Sequence, residues 1–225
     1  MKRHEFVFDL DDTLYSERSY AVSALRYFGH RIDGLGTAGN SSTDSPGDVT
    51  RQLLSMFDAG EKDPIGTVCK RLSIDAGHRQ SLIVEMQAHL PDISLREDAR
   101  QFLSLLKSAG RSFSIITDGR GVTQRAKIKA LGLTDAKMVQ ISEEVGVSKP
   151  HKRSFETVAA LDHYADYIYI GDNPLKDFVA PNQLGWITVM LRNRGDNVHT
   201  QTGDFTDLQK PSACIDSLCE LEAYL

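Results

Sequence analysis

Cysteine is scarce in this chain. The three that occur, Cys69, Cys214 and Cys219, follow no spacing typical of metal sites or redox pairs, and their odd number argues against a disulfide framework. Long apolar runs are also missing, since none approaches the roughly 18–20 residues needed to cross a bilayer. Met1–His4 lacks the apolar stretch of a signal peptide. We therefore expect a soluble cytoplasmic protein with no membrane partner.

An excess of basic residues is absent as well. Lysine and arginine number 26 against 31 aspartates and glutamates, which gives a formal net charge of −5. A surface that binds DNA or RNA must neutralise many phosphates, so this balance has the wrong sign for it. We expect no nucleic-acid partner.

What the chain does contain is an ordinary globular composition, with 40% hydrophobic and 25% charged residues in a length of 225. That length predicts one to two domains. Apolar runs of strand length alternate with stretches of helical periodicity, which predicts a doubly wound, parallel, Rossmann-like α/β sheet. In such sheets, ligands bind beyond the carboxyl ends of the strands. The predicted strands are Glu5–Leu10, Ser112–Thr117, Lys137–Ile141, Tyr167–Ile170, Trp186–Leu191 and a short last one at Ala213–Ile215.

One region interrupts the alternation. Residues 15–94 show four helical patterns and no convincing strand, so we predict a helical cap domain there and an α/β catalytic core formed by 1–14 and 95–225. Segment 34–48 is rich in Gly, Ser and Thr and has little apolar surface to bury. We expect it to be a flexible connector, with a loop that gates a site entrance as the alternative.

The first predicted strand ends in three acids, Asp9, Asp11 and Asp12. Asp9 and Asp11 are two residues apart and can face the same space, where one ionised carboxylate raises the proton affinity of the other. This pattern suggests a nucleophile beside an acid. The alternative is a cluster that caps the next helix, a role that Asp12 or Thr13 can fill alone.

Polar residues follow three further predicted strands. Thr117-Asp118-Gly119 offers a hydroxyl and backbone N–H groups that could hold a phosphate, although a simple turn has the same composition. Lys149 precedes Pro150 at a predicted helix start, where a surface lysine would be unremarkable. Asp172 and Asp177 flank a turn and could bind a hard cation together with another carboxylate.

In this order, the four segments resemble the motifs DxDxT, Ser/Thr, Lys and GDxxxxD of the haloacid dehalogenase-like hydrolase superfamily. The resemblance spans Glu5 to Asp177, and the helical insertion after the first motif is similar to the cap of that superfamily. It implies that Asp9 is the nucleophile and forms an aspartyl-phosphate. It also implies that Asp11 first protonates the leaving oxygen and then activates water.

The same resemblance implies a Mg²⁺ site made of the Asp9 carboxylate, the Asp11 backbone carbonyl and Asp172. Asp177 would orient a ligating water or the lysine. Thr117 and the N–H of Asp118 would bind phosphoryl oxygens, and Lys149 would balance the charge of the crowded anions.

The presence of Asp11 favours phosphoryl transfer, because dehalogenating relatives need no acid for a halide. We expect a phosphomonoesterase acting on a small phosphorylated metabolite. Arg18, on the helix after the first motif, favours a sugar phosphate. The spacing Gln124-x2-Lys127 is similar to that of members that hydrolyse nucleotides or acylneuraminate phosphates. The alternatives are a nucleoside monophosphate phosphatase, a phosphomutase and a non-catalytic phosphometabolite-binding protein.

Overall fold

The computed structural model describes residues 4–36, 48–163 and 165–225 of the chain. Its contacts divide the chain into two compact units, Met1–Arg18 with Ile93–Leu225 and Ser19–Asp92. The first division falls after Arg18, four residues beyond the predicted end of the first core segment. Residues 15–18 join the first unit because Tyr15 and Glu17 bond to the aspartates that precede them.

The first unit is built on one six-stranded sheet. All its strand pairs are parallel, and their order is β3-β2-β1-β4-β5-β6. Strands β2 and β3 therefore lie on one side of β1, and β4, β5 and β6 lie on its other side. This confirms the predicted doubly wound α/β fold. The strands are β1 His4–Phe8, β2 Phe113–Thr117, β3 Met138–Ile141, β4 Asp166–Gly171, β5 Ile187–Leu191 and β6 Ala213–Ile215.

The central strands are apolar along their length because helices cover both faces of such a sheet. Residues Phe6, Val7 and Phe8 of β1 are buried, as is all of β2. The helices of this unit are α5 Glu97–Ser108, α6 Gly121–Ala130, α7 Ser142–Val145, α8 Arg153–Ala159 and α9 Val179–Gln183, and 3₁₀ turns occupy Asp207–Gln209 and Leu218–Tyr224.

Helix α9 differs from the sequence prediction. The prediction had a helix running from Pro174 that ends or kinks near Ala180 because of Pro181. Instead the helix begins at Val179 and Pro181 lies in its first turn. The missing N–H of proline costs little there because the first N–H groups of a helix have no partner within the helix.

The second unit is helical in its described residues. Helices α1 Glu17–Gly36, α2 Asp48–Asp58, α3 Pro64–Arg71 and α4 Ala76–Ala88 provide the bulk of the unit. Their apolar faces meet around Phe28, Leu53, Val68 and Leu82. The ends of the predicted connector 34–48 belong to α1 and α2, while its residues 37–47 lie outside the described residues. Among the helices described, none has both the length and the apolar character needed to span a membrane.

Candidate active site

The adjacent strands β1 and β4 end side by side and place the first acidic group of the site. Phe8 pairs with Ile170, and the N–H of Asp9 donates to the carbonyl of Ile170 at 2.8 Å. Asp9 and Asp172 therefore leave the sheet at the same edge, where the strand order reverses. The turn after β4 adds Asp177. Each of these three buried carboxylates offers an oxygen, and these atoms all lie within 4.8 Å of one another.

A single lysine neutralises part of this acidic cluster. Lys149 Nζ donates to Asp9 Oδ1 at 2.7 Å, to Asp177 Oδ1 at 2.6 Å and to the Tyr169 hydroxyl at 3.0 Å. Its side chain is 2% exposed, so the ammonium has exchanged water for these three acceptors. The predicted alternative of a surface lysine does not match this position. Asp177 also accepts the N–H of Asn173 at 2.8 Å, which fixes the turn.

One ammonium does not balance three buried carboxylates. Burial raises the pKa of Asp9 to about 7 despite the opposing charge of Lys149, and Asp177 raises it further. Burial, with the charges of Asp9 and Asp177, raises the pKa of Asp172 to about 8. Excess negative charge on oxygen ligands is what a hard divalent cation offsets, so these residues fit Mg²⁺.

Asp11 lies in a different environment from Asp9. Its Oδ1 accepts from Lys127 Nζ at 2.7 Å and from the Tyr15 hydroxyl, and its Oδ2 accepts from Gln124 Nε2 at 2.9 Å. Burial opposes ionisation of Asp11, but the Lys127 ammonium and these hydrogen bonds outweigh it and lower the pKa. The acid role that the family resemblance implies for Asp11 predicts a raised proton affinity at this residue. The structure has the reverse order because Lys127 and Gln124 of α6, together with Tyr15, favour the ionised form of Asp11.

The end of β2 supplies the remaining predicted phosphate contacts. Thr117 is buried and its hydroxyl accepts from Gln124 Nε2 at 2.6 Å. Asp118 Oδ1 accepts the backbone N–H of Lys149 at 3.0 Å, which links the turns after β2 and before α8. A cavity of about 70 Å³ opens at these strand ends. Its lining comprises Asp9, Asp11, Glu17, Thr117, Asp118, Asp172, Lys176 and His199.

Comparison with known proteins shows which family this chain belongs to. Residues 6–185 match the family described as haloacid dehalogenase-like hydrolase. The chain belongs to the haloacid dehalogenase-like hydrolases. The resemblance predicted from the four motifs is thereby confirmed, and the match covers the whole stretch in which those motifs occur.

Two curated relatives of this family are similar in sequence. A ribulose-1,5-bisphosphate 5-phosphatase of Halopiger xanaduensis is 33% identical over 138 residues, 60% of this chain but only 58% of that protein. A glyceraldehyde 3-phosphate phosphatase of Methanopyrus kandleri is 28% identical over 83% of this chain and 82% of its own length. Among solved structures, a 2-haloacid dehalogenase of Pseudomonas syringae has a TM-score of 0.63 at 18% identity, with 100% of this chain and 98% of that chain covered. That likeness shows the shared fold alone.

Asp12 is an acid of the first motif that the hydrolase site does not use directly. It is buried, with a φ of 54°, and its Oδ1 accepts the N–H of Glu17 at 2.9 Å at the start of α1. Its Oδ2 accepts the N–H of Val198 at 2.7 Å. The helix-capping alternative is thus correct for Asp12, whereas Asp9 and Asp11 bond to lysines.

The loop after β5 contacts the site but carries no predicted residue. Asn197 Nδ2 donates to Asp172 Oδ2 at 3.0 Å, and Gln201 Nε2 donates to the Asp172 carbonyl at 2.8 Å. The Asn197 amide thus fixes the side chain of Asp172, and the Gln201 amide fixes its backbone. Their sequence surroundings contain no motif, so only the path of the folded loop reveals them.

Arg18 is a predicted substrate-binding residue that does not line the cavity. Its side chain is exposed, and it is absent from the described residues that line the cavity. Glu17, one residue earlier, lines the cavity instead, together with Lys176 and His199. Sequence reasoning missed these three because helix phase and loop path, rather than spacing, decide which side chains face the strand ends.

Proposed function

We propose that this haloacid dehalogenase-like hydrolase is a Mg²⁺-dependent phosphomonoesterase that acts on a small sugar phosphate through an aspartyl-phosphate at Asp9. The observation that carries the proposal is the position of Asp9. Its Oδ1 lies 2.7 Å from Lys149 Nζ, and one of its oxygens lies within 4.8 Å of oxygens of Asp172 and Asp177. Asp9 also lines the same cavity as Thr117.

In the proposed first half-reaction, Asp9 attacks phosphorus and the ester P–O bond breaks. The leaving oxygen takes a proton from Asp11, while Thr117 and the N–H of Asp118 hold phosphoryl oxygens. In the second half, Asp11 takes a proton from water, whose oxygen attacks phosphorus. Asp9 is released as a carboxylate together with inorganic phosphate. The partners that lower the pKa of Asp11 favour its ionised form, which the base step needs, whereas the acid step needs the protonated form, which the negative charge of a bound phosphate favours.

The cation would be held by the carboxylates of Asp9 and Asp172 and by the backbone carbonyl of Asp11. When bound, Mg²⁺ would supply positive charge that lets a carboxylate approach a phosphate dianion. Asp177 would act on this centre through Lys149, to which it bonds at 2.6 Å. Within the chain, Lys149 supplies the remaining positive charge beside the nucleophile.

The substrate proposal is supported by the relatives. The Halopiger and Methanopyrus proteins are named as phosphatases of ribulose 1,5-bisphosphate and of glyceraldehyde 3-phosphate, both small phosphorylated sugars. We propose further that the helical unit Ser19–Asp92 serves as the cap. This rests on its insertion directly after the first motif.

The test is phosphate release from a panel of phosphomonoesters by the purified protein. We expect turnover of p-nitrophenyl phosphate and of triose and pentose phosphates with Mg²⁺, its loss in excess chelator, and no turnover by Asp9→Asn. A clear preference for nucleoside monophosphates would refute the sugar-phosphate proposal. Full activity in excess chelator would refute the metal requirement.

A further inference from the structure

Among the described acids that line the cavity, Glu17 alone has no part in the proposed chemistry and forms no ion pair with a described lysine or arginine. It is the first residue of α1, and its backbone N–H is tied to Asp12. Within the described part of the chain, its carboxylate has neither a hydrogen bond nor an ion pair. The neighbouring acids differ, since Asp9 bonds to Lys149 and Asp11 to Lys127.

The ionised form of Glu17 is unfavourable when the cavity is empty, because no ammonium group compensates its charge. The nearest ammonium groups, Lys127 and Lys176, are engaged with Asp11 at 2.7 Å and with Asp118 at 3.4 Å. Burial raises the pKa of Glu17 to about 7, with a further contribution from Asp11 that Lys127 does not cancel. Hydrogen-bond donors that enter the cavity would stabilise the ionised form of this half-buried carboxylate.

We infer that Glu17 determines specificity: its carboxylate accepts hydrogen bonds from hydroxyl groups on the organic part of the substrate and repels substrates that carry a carboxylate. The inference rests on the proposed phosphomonoesterase function, because it places the reacting phosphate at Asp9 and the organic group beside Glu17. The expected substrate class is therefore a hydroxylated carbon skeleton that carries no carboxylate and is esterified to phosphate.

Three phosphomonoesters with three-carbon skeletons separate the two parts of this inference. Glycerol 3-phosphate carries hydroxyls without a carboxylate, 3-phosphoglycerate carries a carboxylate, and propyl phosphate carries neither. We expect the wild-type protein to prefer glycerol 3-phosphate over each of the other two by about tenfold or more in kcat/KM.

Two substitutions at Glu17 give different expected patterns. Glu17→Gln removes the charge and keeps an acceptor oxygen, so the preference over 3-phosphoglycerate should fall at least about fivefold while most of the preference over propyl phosphate remains. Glu17→Ala should lose both preferences. The matched control is Glu97→Gln, an exposed glutamate that likewise opens a helix, and it should keep the wild-type ratios.

The outcomes distinguish this inference from the proposed function. If the wild-type protein releases phosphate from none of these esters or from p-nitrophenyl phosphate, the proposed function fails. If it does release phosphate but Glu17→Gln and Glu17→Ala keep the wild-type ratios with unchanged melting temperatures, Glu17 does not determine specificity and the inference is overturned. A wild-type preference for 3-phosphoglycerate would overturn it equally.

Discussion

Gly171 shows how one missing side chain shapes the acidic site. A Cβ on this glycine would lie 2.6 Å from Asp177 Oδ2, which is closer than non-bonded atoms approach. Any larger residue would push Asp177 away from Lys149 Nζ and from the N–H of Asn173. The glycine of the GDxxxxD motif is thus explained by a close approach of a side chain.

Lys149 contributes to the stability of the fold as well as to the charge balance of the site. Sequence reasoning treats it as a charge-balancing group, but the structure buries it between Asp9 and Asp177. Removing one partner of a buried ion pair leaves the other charge uncompensated, which costs about 3–5 kcal/mol in known cases. A loss of turnover in a Lys149 variant would therefore mix folding with catalysis. Asp11 also pairs with a buried lysine, Lys127, so its test compares two substrates, because a loss of folded protein lowers both rates equally.

Asp11→Asn should affect substrates according to their leaving groups. Turnover of glycerol 3-phosphate should fall by at least about tenfold more than turnover of p-nitrophenyl phosphate, because an alkoxide needs a proton from an acid and a nitrophenolate needs little. The two rates are measured as phosphate release under the same conditions.

The control for this prediction is Asp9→Asn, which should abolish both rates because an amide cannot act as the nucleophile. Equal losses on both substrates in Asp11→Asn would show that Asp11 does not protonate the leaving oxygen. The amide keeps the shape of the carboxylate but leaves the Lys127 ammonium without its anionic partner. The melting temperature of Asp11→Asn is therefore measured alongside, and any loss of stability cancels in the ratio of the two rates.

At the scale of elements, the loop between β5 and β6 joins two acidic motifs that are far apart in sequence. Asn197 bonds to Asp172, and the next residue, Val198, donates its N–H to Asp12. Asp196 anchors the same loop through Arg96 at 2.9 Å. Since the Asn197 amide occupies Asp172 Oδ2, it leaves Oδ1 free to face the proposed cation.

Asn197→Ala should therefore weaken Mg²⁺ binding by about tenfold or more, the usual effect of removing a group that orients a metal ligand. Calorimetric titration of Mg²⁺ into the protein measures this directly, and the Mg²⁺ concentration for half-maximal phosphate release provides a second readout. Thr200→Ala, an exposed position on the same loop, is the control and should bind Mg²⁺ normally. Identical affinities in the two variants would contradict a positioning role for Asn197.

The elements that the sequence predicted are those in which local pattern and burial agree. Strands β2 and β5 are continuous apolar runs bounded by turn residues, and each lies within one residue of its predicted start. Thr117 was found because it ends such a strand, β2, and Asp172 because it directly follows another, β4. Asn197 and His199 follow no apolar run immediately, since they reach the site through a loop whose path depends on contacts with Asp12 and Asp172.

At the scale of the whole molecule, the strand order concentrates negative charge at one edge of the sheet. Asp9, Asp172 and Glu17 have pKa values raised to about 7, about 8 and about 7 from ordinary values of 3.8, 3.8 and 4.5. The folded protein therefore binds protons more tightly at these sites than the unfolded chain does. Asp11 has the opposite shift, and its contribution to stability changes only as pH falls below its ordinary value of 3.8.

Unfolding should consequently release protons between about pH 4 and pH 8, so the stability conferred by protonated Asp9, Asp172 and Glu17 is lost as pH rises through that window. In chelator-treated protein we expect the melting temperature to fall from about pH 6 to about pH 8, by calorimetry, with each group contributing up to about 1.4 kcal/mol per pH unit. Asp172→Asn should flatten this slope. Mg²⁺ should raise the melting temperature more at the higher pH, because the carboxylates that bind it are then ionised. A melting temperature that is constant or rises across this window in chelator would show that these acids are not destabilised by burial in the folded state.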